Sequence, residues 1–288
     1  MKVFVTGATG FVGRELIRQL DGAGHSVRIL ARNADSPAAR EMISKFKAEV
    51  HPGNVLDLDS LHDGLDGVDA VIHLVGIISE QGGSTFEKIH TLGTQNMVSA
   101  VRASGVKRFL QVSALGVCAY AKARYHKSKW AAEMHVRNSG LDFTIFRPSI
   151  IYGRGDHFVN FFAGLSRWSP VLPVMGTGNG LLQPVPVEDV ARCFVRALVN
   201  PRTVGQSYDL YGPEILTLRE ILQAICDATG RKRLLVQIPM PMARTLAATL
   251  EWIFPAILRK APPLNRDQLV MLEEKTIGKC PAALEIFG

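Results

Sequence analysis

Apolar residues in the first half of the chain come in short, nearly unbroken runs separated by amphipathic stretches. The runs are KVFVT (2–6), SVRILA (26–31), AEVHP (48–52), DAVIHLV (69–75), RFLQVS (108–113) and DFTIFRP (142–148). Continuous runs, rather than strict alternation, predict strands of a parallel sheet covered on both faces. The segments between them, 11–23, 37–46, 58–64, 84–104 and 122–139, predict helices. Ser36-Pro37 marks a helix start, a capping residue followed by proline in the first turn. Strand–helix alternation with right-handed crossovers predicts an α/β protein built on a doubly wound parallel sheet.

After about residue 150 the rhythm changes. YGRGD and MGTGNG are rich in turn residues, and 187–200 predicts a helix. SYDLYG (207–212) predicts a strand able to extend the sheet. The helix of 217–230 opens with a Thr217-x-x-Glu220 capping box and ends at Gly230. A short strand (234–238), an apolar helix (242–258) and a last helix (265–274) follow. The expected division is a sheet core over 1–150, joined by the 207–212 strand, and a small α/β lobe over 151–288.

Composition narrows the class. The chain has 288 residues, 47% of them hydrophobic, enough for one large domain with a small appendage. Its formal charge of +7 permits an anionic partner, but the positive residues are scattered, so no nucleic-acid partner is expected. Cys118, Cys193, Cys226 and Cys280 are far apart, which predicts reduced thiols, no disulfide framework and no metal site. The first residues already form a strand and turn, and 234–258 is interrupted by Arg244, Glu251 and three prolines. Neither a signal peptide nor a membrane span is predicted, and a cytoplasmic location is expected.

The chemistry begins at VFVTGATGFVGRELI, where Gly7, Gly10 and Gly13 lie between the first strand and the first helix. Gly7 permits a tight turn, Gly10 lets the backbone approach a pyrophosphate, and Gly13 lets helix and strand pack closely. The helix N-terminus supplies free N–H groups and a favourable dipole. The pattern predicts a Rossmann dinucleotide site. At the end of the second strand stands Arg32, where an NAD-selective domain carries an acidic residue. An arginine there suits a 2′-phosphate, so NADP(H) is favoured over NAD(H); the alternative is a solvated surface arginine.

With these residues in view, the chain resembles the short-chain dehydrogenase/reductase superfamily. The likeness is to its extended and atypical branch, which includes nucleoside-diphosphate-sugar epimerases and dehydratases. Within that branch it resembles relatives of the NADPH-binding accessory subunit of respiratory complex I. TGATGFVG, DAVIHLVG, HTLGTQNMVSA, RFLQVSALGV, YHKSKWAAE and FRPSIIYGRGD carry the superfamily likeness; QPVPVEDVA and PPLNRDQLVMLEE suggest the subgroup. The resemblance implies that Gly7, Thr9, Gly10, Phe11, Val12 and Gly13 surround the pyrophosphate. It places Arg32 and Asn33 at the adenosine ribose, Asn54 and Val55 at the adenine, and Leu74, Val75 and Gly76 along the ribose and pyrophosphate path. Pro148, Ser149 and Ile150 would approach the nicotinamide.

Tyr125 and Lys129 lie four apart and share a helix face. The resemblance implies that Lys129 bonds the nicotinamide ribose, that its charge lowers the Tyr125 pKa, and that Tyr125 exchanges a proton with substrate. The family's third catalytic group is a hydroxyl at the end of the fifth strand. Aligning SALGV on the family's SSxxV puts Ser113 in the first slot and Ala114 in the second, which normally holds that hydroxyl. Ser113 is the candidate polariser, although neighbouring strand residues face opposite ways. His90 stands where the family commonly has Asn; a satisfied buried histidine is expected over a proton relay.

In the apolar helix, Met242, Leu246, Leu250, Ile253 and Ile257 recur at helical spacing, with Trp252 and Phe254 adding bulk. Arg231, Lys232 and Arg233 precede it, and Arg259 and Lys260 follow. A helix packed over a substrate cleft and a membrane-surface or respiratory-complex contact both fit this pattern. The functional expectation is an NADP(H)-binding oxidoreductase acting on a small carbonyl, alcohol or sugar-nucleotide-like substrate. The alternative is a subunit that holds NADP(H) without turnover in a respiratory or quinone-linked assembly.

Overall fold

Lys2–Thr6 forms β1, and Phe11–Gly22 forms α1 directly behind the glycine loop. In this computed structural model the described residues are 1–258, 261–274, 277, 278, 283 and 287. Arg259, Lys260 and Cys280 lie outside them. The core continues with β2 (Ser26–Ala31), α2 (Pro37–Phe46), β3 (Glu49–Pro52), α3 (Leu58–Gly64) and β4 (Ala70–His73). A π-helical turn at Glu87–Leu92 runs into α4 (Gly93–Ser104). β5 (Arg108–Val112), α5 (Arg124–Arg137) and β6 (Asp142–Pro148) complete the first half.

The strand order is β3, β2, β1, β4, β5, β6 and then Gln206–Leu210, seven strands with every pairing parallel. The order reverses between β1 and β4, and the crevice at such a reversal is where open α/β sheets bind ligands. Apolar runs fill both faces. Leu16, Ile17 and Leu20 of α1 pack on one face with Val190 and Phe194 of α7 (Val187–Leu198). Leu61 of α3, Met97 and Val101 of α4 and Val136 of α5 pack on the other, against Phe4, Val71 and Phe109. Each such side chain contributes roughly 1.5–3 kcal/mol by leaving water.

Local signals act where the sequence places them. The Ser36 hydroxyl accepts from the Ala39 N–H, and Thr217 and Glu220 form a reciprocal capping box on α8 (Leu218–Ala228). The remaining helices are α6 (Val159–Trp168), α9 (Met240–Ile253), which continues as a π-turn over Phe254–Leu258, and α10 (Arg266–Glu273). The later segment has its own small core, with Phe162, Val174, Leu182, Ile221 and Leu222 packed together.

The apolar helix of 242–258 packs through its small residues. Its buried stripe is Ala243 and Ala247, which meet Leu269 of α10. Met242 (63% exposed), Leu246, Trp252 (75%) and Ile257 face outward. Short alanines let α10 approach closely, so the larger residues occupy the opposite side. Among the described residues, no helix is long and apolar enough to cross a membrane.

Candidate dinucleotide site

The glycine loop turns at Gly7, whose φ of +75° is a left-handed conformation that glycine adopts without strain. A methyl on Gly7 would lie 3.0–3.2 Å from the backbone of Leu74 and Val75. The strand-end segment 74–76 is thereby seated against the loop, and the Leu74 N–H donates to Thr6 O at 3.1 Å. A methyl on Gly13 would lie 2.3 Å from Gly7 O and 2.5 Å from Ala8 O, so α1 packs on the turn with no room for a side chain. Gly10 is different: its Cβ would meet only Gly7 O, at 3.2 Å. Gly10 is exposed, extended, and caps α1 without a side chain. The three glycines therefore divide into one for the turn, one for packing and one facing open space where a phosphate can approach. Thr9, Phe11 and Val12 are half-buried around that opening.

At the adenosine end, Arg32 is exposed directly after β2, and no described residue pairs with its guanidinium. Asn33 Oδ1 accepts from the Asp35 N–H at 2.9 Å, and Asn54 Oδ1 accepts from the Leu56 N–H at 3.1 Å, so both amides brace their own turns. Val55 is buried in the core beneath Gly93 rather than presented to a ligand.

At the other end, α5 carries Tyr125 and Lys129. Buried Glu133 of the same helix takes two bonds from Arg147 of β6, at 2.8 and 2.6 Å, which fastens α5 to the sheet. Lys129 is buried and donates to Val112 O at 3.3 Å, leaving two of its three N–H bonds without a partner among the described residues. A methyl on Gly76 would come within 3.0 Å of Lys129 Nζ, so the ammonium lies against the glycine that ends the β4 segment. Burial pushes the ammonium down to about 8, partly offset by the Glu133 charge.

Tyr125 stands edge-on to His90 (centroids 5.3 Å apart) and to Phe86 (5.8 Å). Burial alone pushes its phenol up to about 12. The expected lowering by Lys129 is not found; the phenol is held protonated instead. His90 is a satisfied buried histidine. Its Nε2 accepts from the Ile77 N–H at 3.0 Å, which puts the proton on Nδ1, 2.8 Å from Ser128 Oγ. Burial and the Lys129 charge lower it to about 2, so it stays neutral and pins the 76–78 segment. It sits in the π-helical turn that opens α4.

Ser113 is buried, and its hydroxyl has no hydrogen-bond partner among the described residues. Ser149 Oγ, at the end of β6, likewise has no partner among them. Pro148 is buried and its carbonyl accepts from the Leu115 N–H, while Ile150 is half-buried. Ala114 offers no hydroxyl in the second slot. A glycine cradle, a buried ammonium with free donors and two orphaned hydroxyls at the carboxyl ends of β5 and β6 fit a dinucleotide laid across the switch point.

These features define a Rossmann-type dinucleotide-binding protein of the epimerase/dehydratase-like kind. Residues 7–201 match the NAD(P)H-binding family model. The chain belongs to that family, within the short-chain dehydrogenase/reductase superfamily. It is 31% identical over 276 residues to NADH dehydrogenase (ubiquinone) 1 alpha subcomplex subunit 9 of Arabidopsis thaliana, covering 94% of this chain and 67% of that one. It is 30% identical over 250 residues to the ceramide reductase of Caulobacter vibrioides, covering 86% of this chain and 77% of that one. Its fold matches the dTDP-glucose 4,6-dehydratase of Streptomyces venezuelae, solved with NAD and TYD bound, with a TM-score of 0.70, 23% identity, and 83% and 84% of the two chains covered.

Sequence reasoning missed three contributors. His73, buried in β4, bonds Thr6 Oγ1 at 2.7 Å and Thr94 Oγ1 at 3.2 Å, tying β1, β4 and α4 together under the site. Asp267 and Glu274 reach α5 from the far end of the chain. The PPLNRDQLVMLEE segment was a signal for the last two, but nothing local in it says what they bond.

Proposed function

We propose that this protein is an NADP(H)-dependent oxidoreductase that reduces a small carbonyl substrate. The observation that carries the reading is the placement of Lys129 and Tyr125 on α5, with Lys129 Nζ beside Gly76 at the end of the segment packed on the glycine turn. NADPH, when bound, supplies the hydride. The chain supplies the rest. Gly7, Thr9, Gly10, Phe11, Val12 and Gly13 would hold the pyrophosphate, and Arg32 the 2′-phosphate. Asn33, Asn54 and Val55 border the adenosine, Val55 through its backbone. Leu74, Val75 and Gly76 would line the path to the nicotinamide, with Pro148, Ser149 and Ile150 beside it.

Lys129 would bond the nicotinamide ribose. Tyr125 would donate its proton to the carbonyl oxygen as the carbonyl carbon accepts the hydride, giving the alcohol. A phenol kept protonated by burial suits that direction. Ser113 would polarise the same oxygen. The likeness to a ceramide reductase supports a reductase, and the fold's likeness to sugar-nucleotide enzymes keeps epimerase or dehydratase chemistry as a variant. The substrate would enter between the sheet's carboxyl edge and the 151–288 lobe.

A second reading is a non-catalytic NADP(H)-holding subunit of a respiratory or quinone-linked assembly. Ala114 in the hydroxyl slot, the outward apolar face of α9 and the likeness to a complex I subunit favour it. That face would be the contact with a membrane surface or an assembly, with the chain peripheral to a membrane.

One experiment separates them. The purified protein is tested for exchange of bound nucleotide and for its oxidation on adding carbonyls or quinones. Turnover lost in Tyr125→Phe supports the reductase. A tightly held cofactor that never changes redox state defeats it.

A further inference from the structure

The first turn of α5 has no cap of its own. Its N-cap residue is Ala123, and no side chain near it in sequence takes the free N–H groups. Four such donors would cost free energy if left bare beside a buried site. Those of Ala123, Arg124 and Tyr125, with the Lys122 N–H just before them, are taken by two carboxylates from the other end of the chain. Glu274 Oε1 accepts from the Lys122 N–H at 2.7 Å and the Ala123 N–H at 3.4 Å. Asp267 Oδ1 accepts from the Arg124 N–H at 2.7 Å, and its Oδ2 from the Tyr125 N–H at 2.9 Å. Glu274 Oε2 also pairs with Nδ1 of buried His126 at 2.6 Å.

The same segment grips the other wall of the site. Asn265 Nδ2 donates to Ile78 O at 3.0 Å, next to the Ile77 N–H that His90 holds. α10 is itself well seated. Leu269 is fully buried against Ala243 and Ala247, and Arg244–Glu273 and Arg266–Glu251 join α9 to α10. α10 therefore spans from the start of α5 to the segment that runs past Gly76. Those are the two elements between which Lys129 Nζ lies.

We infer that Asp267 and Glu274 are positioning residues for Lys129 and Tyr125, so that the C-terminal segment completes a dinucleotide site whose other parts lie in the first half of the chain. The inference rests on the proposed placement of Lys129 at the cofactor. The carboxylates touch backbone, and their effect passes through the setting of α5. Two negative charges at a helix N-terminus are also favourable against its dipole.

The test uses the full chain with Asp267→Asn and Glu274→Ala, singly and together. Asp267→Asn keeps one acceptor oxygen and puts an amide group where a second N–H needs an acceptor, and Glu274→Ala removes the one oxygen that serves both the Lys122 and Ala123 N–H groups. The first readout is hydrogen exchange, expected to rise about tenfold at the amides of residues 122–125 and to stay unchanged in the sheet. The second is NADPH affinity in a double-mutant cycle with Lys129→Ala. Asp267→Asn is expected to weaken NADPH by about three- to tenfold in the native background and not at all once Lys129 is gone. Equal losses in both backgrounds, or no loss in either, overturn the inference, since a cap that only stabilises the fold would not couple to Lys129. If the double variant does not fold, either single variant carries the same cycle. None of these readouts needs turnover. A native chain that reduces no carbonyl defeats the reductase reading without touching this result, and Lys129→Ala with native affinity defeats the cofactor placement itself.

Discussion

Replacing Gly10 and Gly13 separately by alanine should split binding from stability. At Gly13 the added methyl falls 2.3 Å from Gly7 O, 2.5 Å from Ala8 O and 2.6 Å from Ala8 C, all backbone atoms. That is roughly an ångström inside contact, so helix or turn must move. Overpacking of this kind costs about 1–3 kcal/mol, and alanine's better helix propensity returns up to about 1 kcal/mol. With the overlap this severe, the net loss should be about 2 kcal/mol, a fall of roughly 5 °C in Tm. At Gly10 the backbone is extended (φ −78°, ψ 179°), a conformation alanine adopts, and the methyl meets one atom at 3.2 Å. Stability should therefore change by less than about 1 kcal/mol. The methyl does occupy the space through which a pyrophosphate must reach the α1 N–H groups, so NADPH should bind at least about tenfold more weakly. Thermal unfolding of the free chain and calorimetric titration with NADPH measure the two quantities. Native affinity in Gly10→Ala would refute the phosphate cradle. Equal destabilisation by both substitutions would refute the division of labour between the glycines.

Four further outcomes are expected. Arg32→Ala should weaken NADPH about tenfold or more while leaving NADH nearly unchanged, the loss of a charged bond to the 2′-phosphate; equal effects on both nucleotides would remove Arg32 from that role. Lys129 titrates near 8 in the fold against an ordinary 10.5, so the unfolded chain binds the extra proton between those values and stability rises with pH. Native protein should accordingly gain on the order of 3 kcal/mol relative to Lys129→Met between about pH 8 and 10.5, read by urea unfolding; a flat difference would mean that the ammonium is not desolvated. Ala114→Ser should raise kcat for carbonyl reduction by about tenfold or more if it restores the polarising hydroxyl, and an unchanged kcat would count against the reductase reading. Trp252→Ser combined with Leu246→Ser should cut retention on anionic lipid vesicles by about tenfold with little change in Tm, since Trp252 is mostly in water and Leu246 partly so; unchanged retention would argue that α9 contacts protein instead.

The parallel sheet was legible because its strands are buried on both faces. Val3, Phe4 and Val5 have no exposed surface, and only an unbroken apolar run meets that demand. The glycine loop was legible for a similar reason. Gly7 and Gly13 answer local steric limits, one of conformation and one of contact, which no other residue satisfies. The face of the 242–258 helix was not legible. Its large apolar residues repeat at helical spacing just as a buried stripe would, and only packing against Leu269 reveals that the alanines are the inner side.

The sequence by itself thus determined the α/β class, the glycine cradle and the spacing that puts Tyr125 and Lys129 on one face of α5, because each follows from interactions within a few residues. The tertiary structure alone decided their electrostatics. Lys129 is lowered and Tyr125 raised by burial, which depends on what covers them rather than on their spacing. It alone decided that His90 is a structural pin, since its two partners come from the 76–78 segment and from α5. It also showed that α5 is capped from 142–152 residues away, because a backbone N–H left without a local partner donates to any carboxylate the fold brings to it.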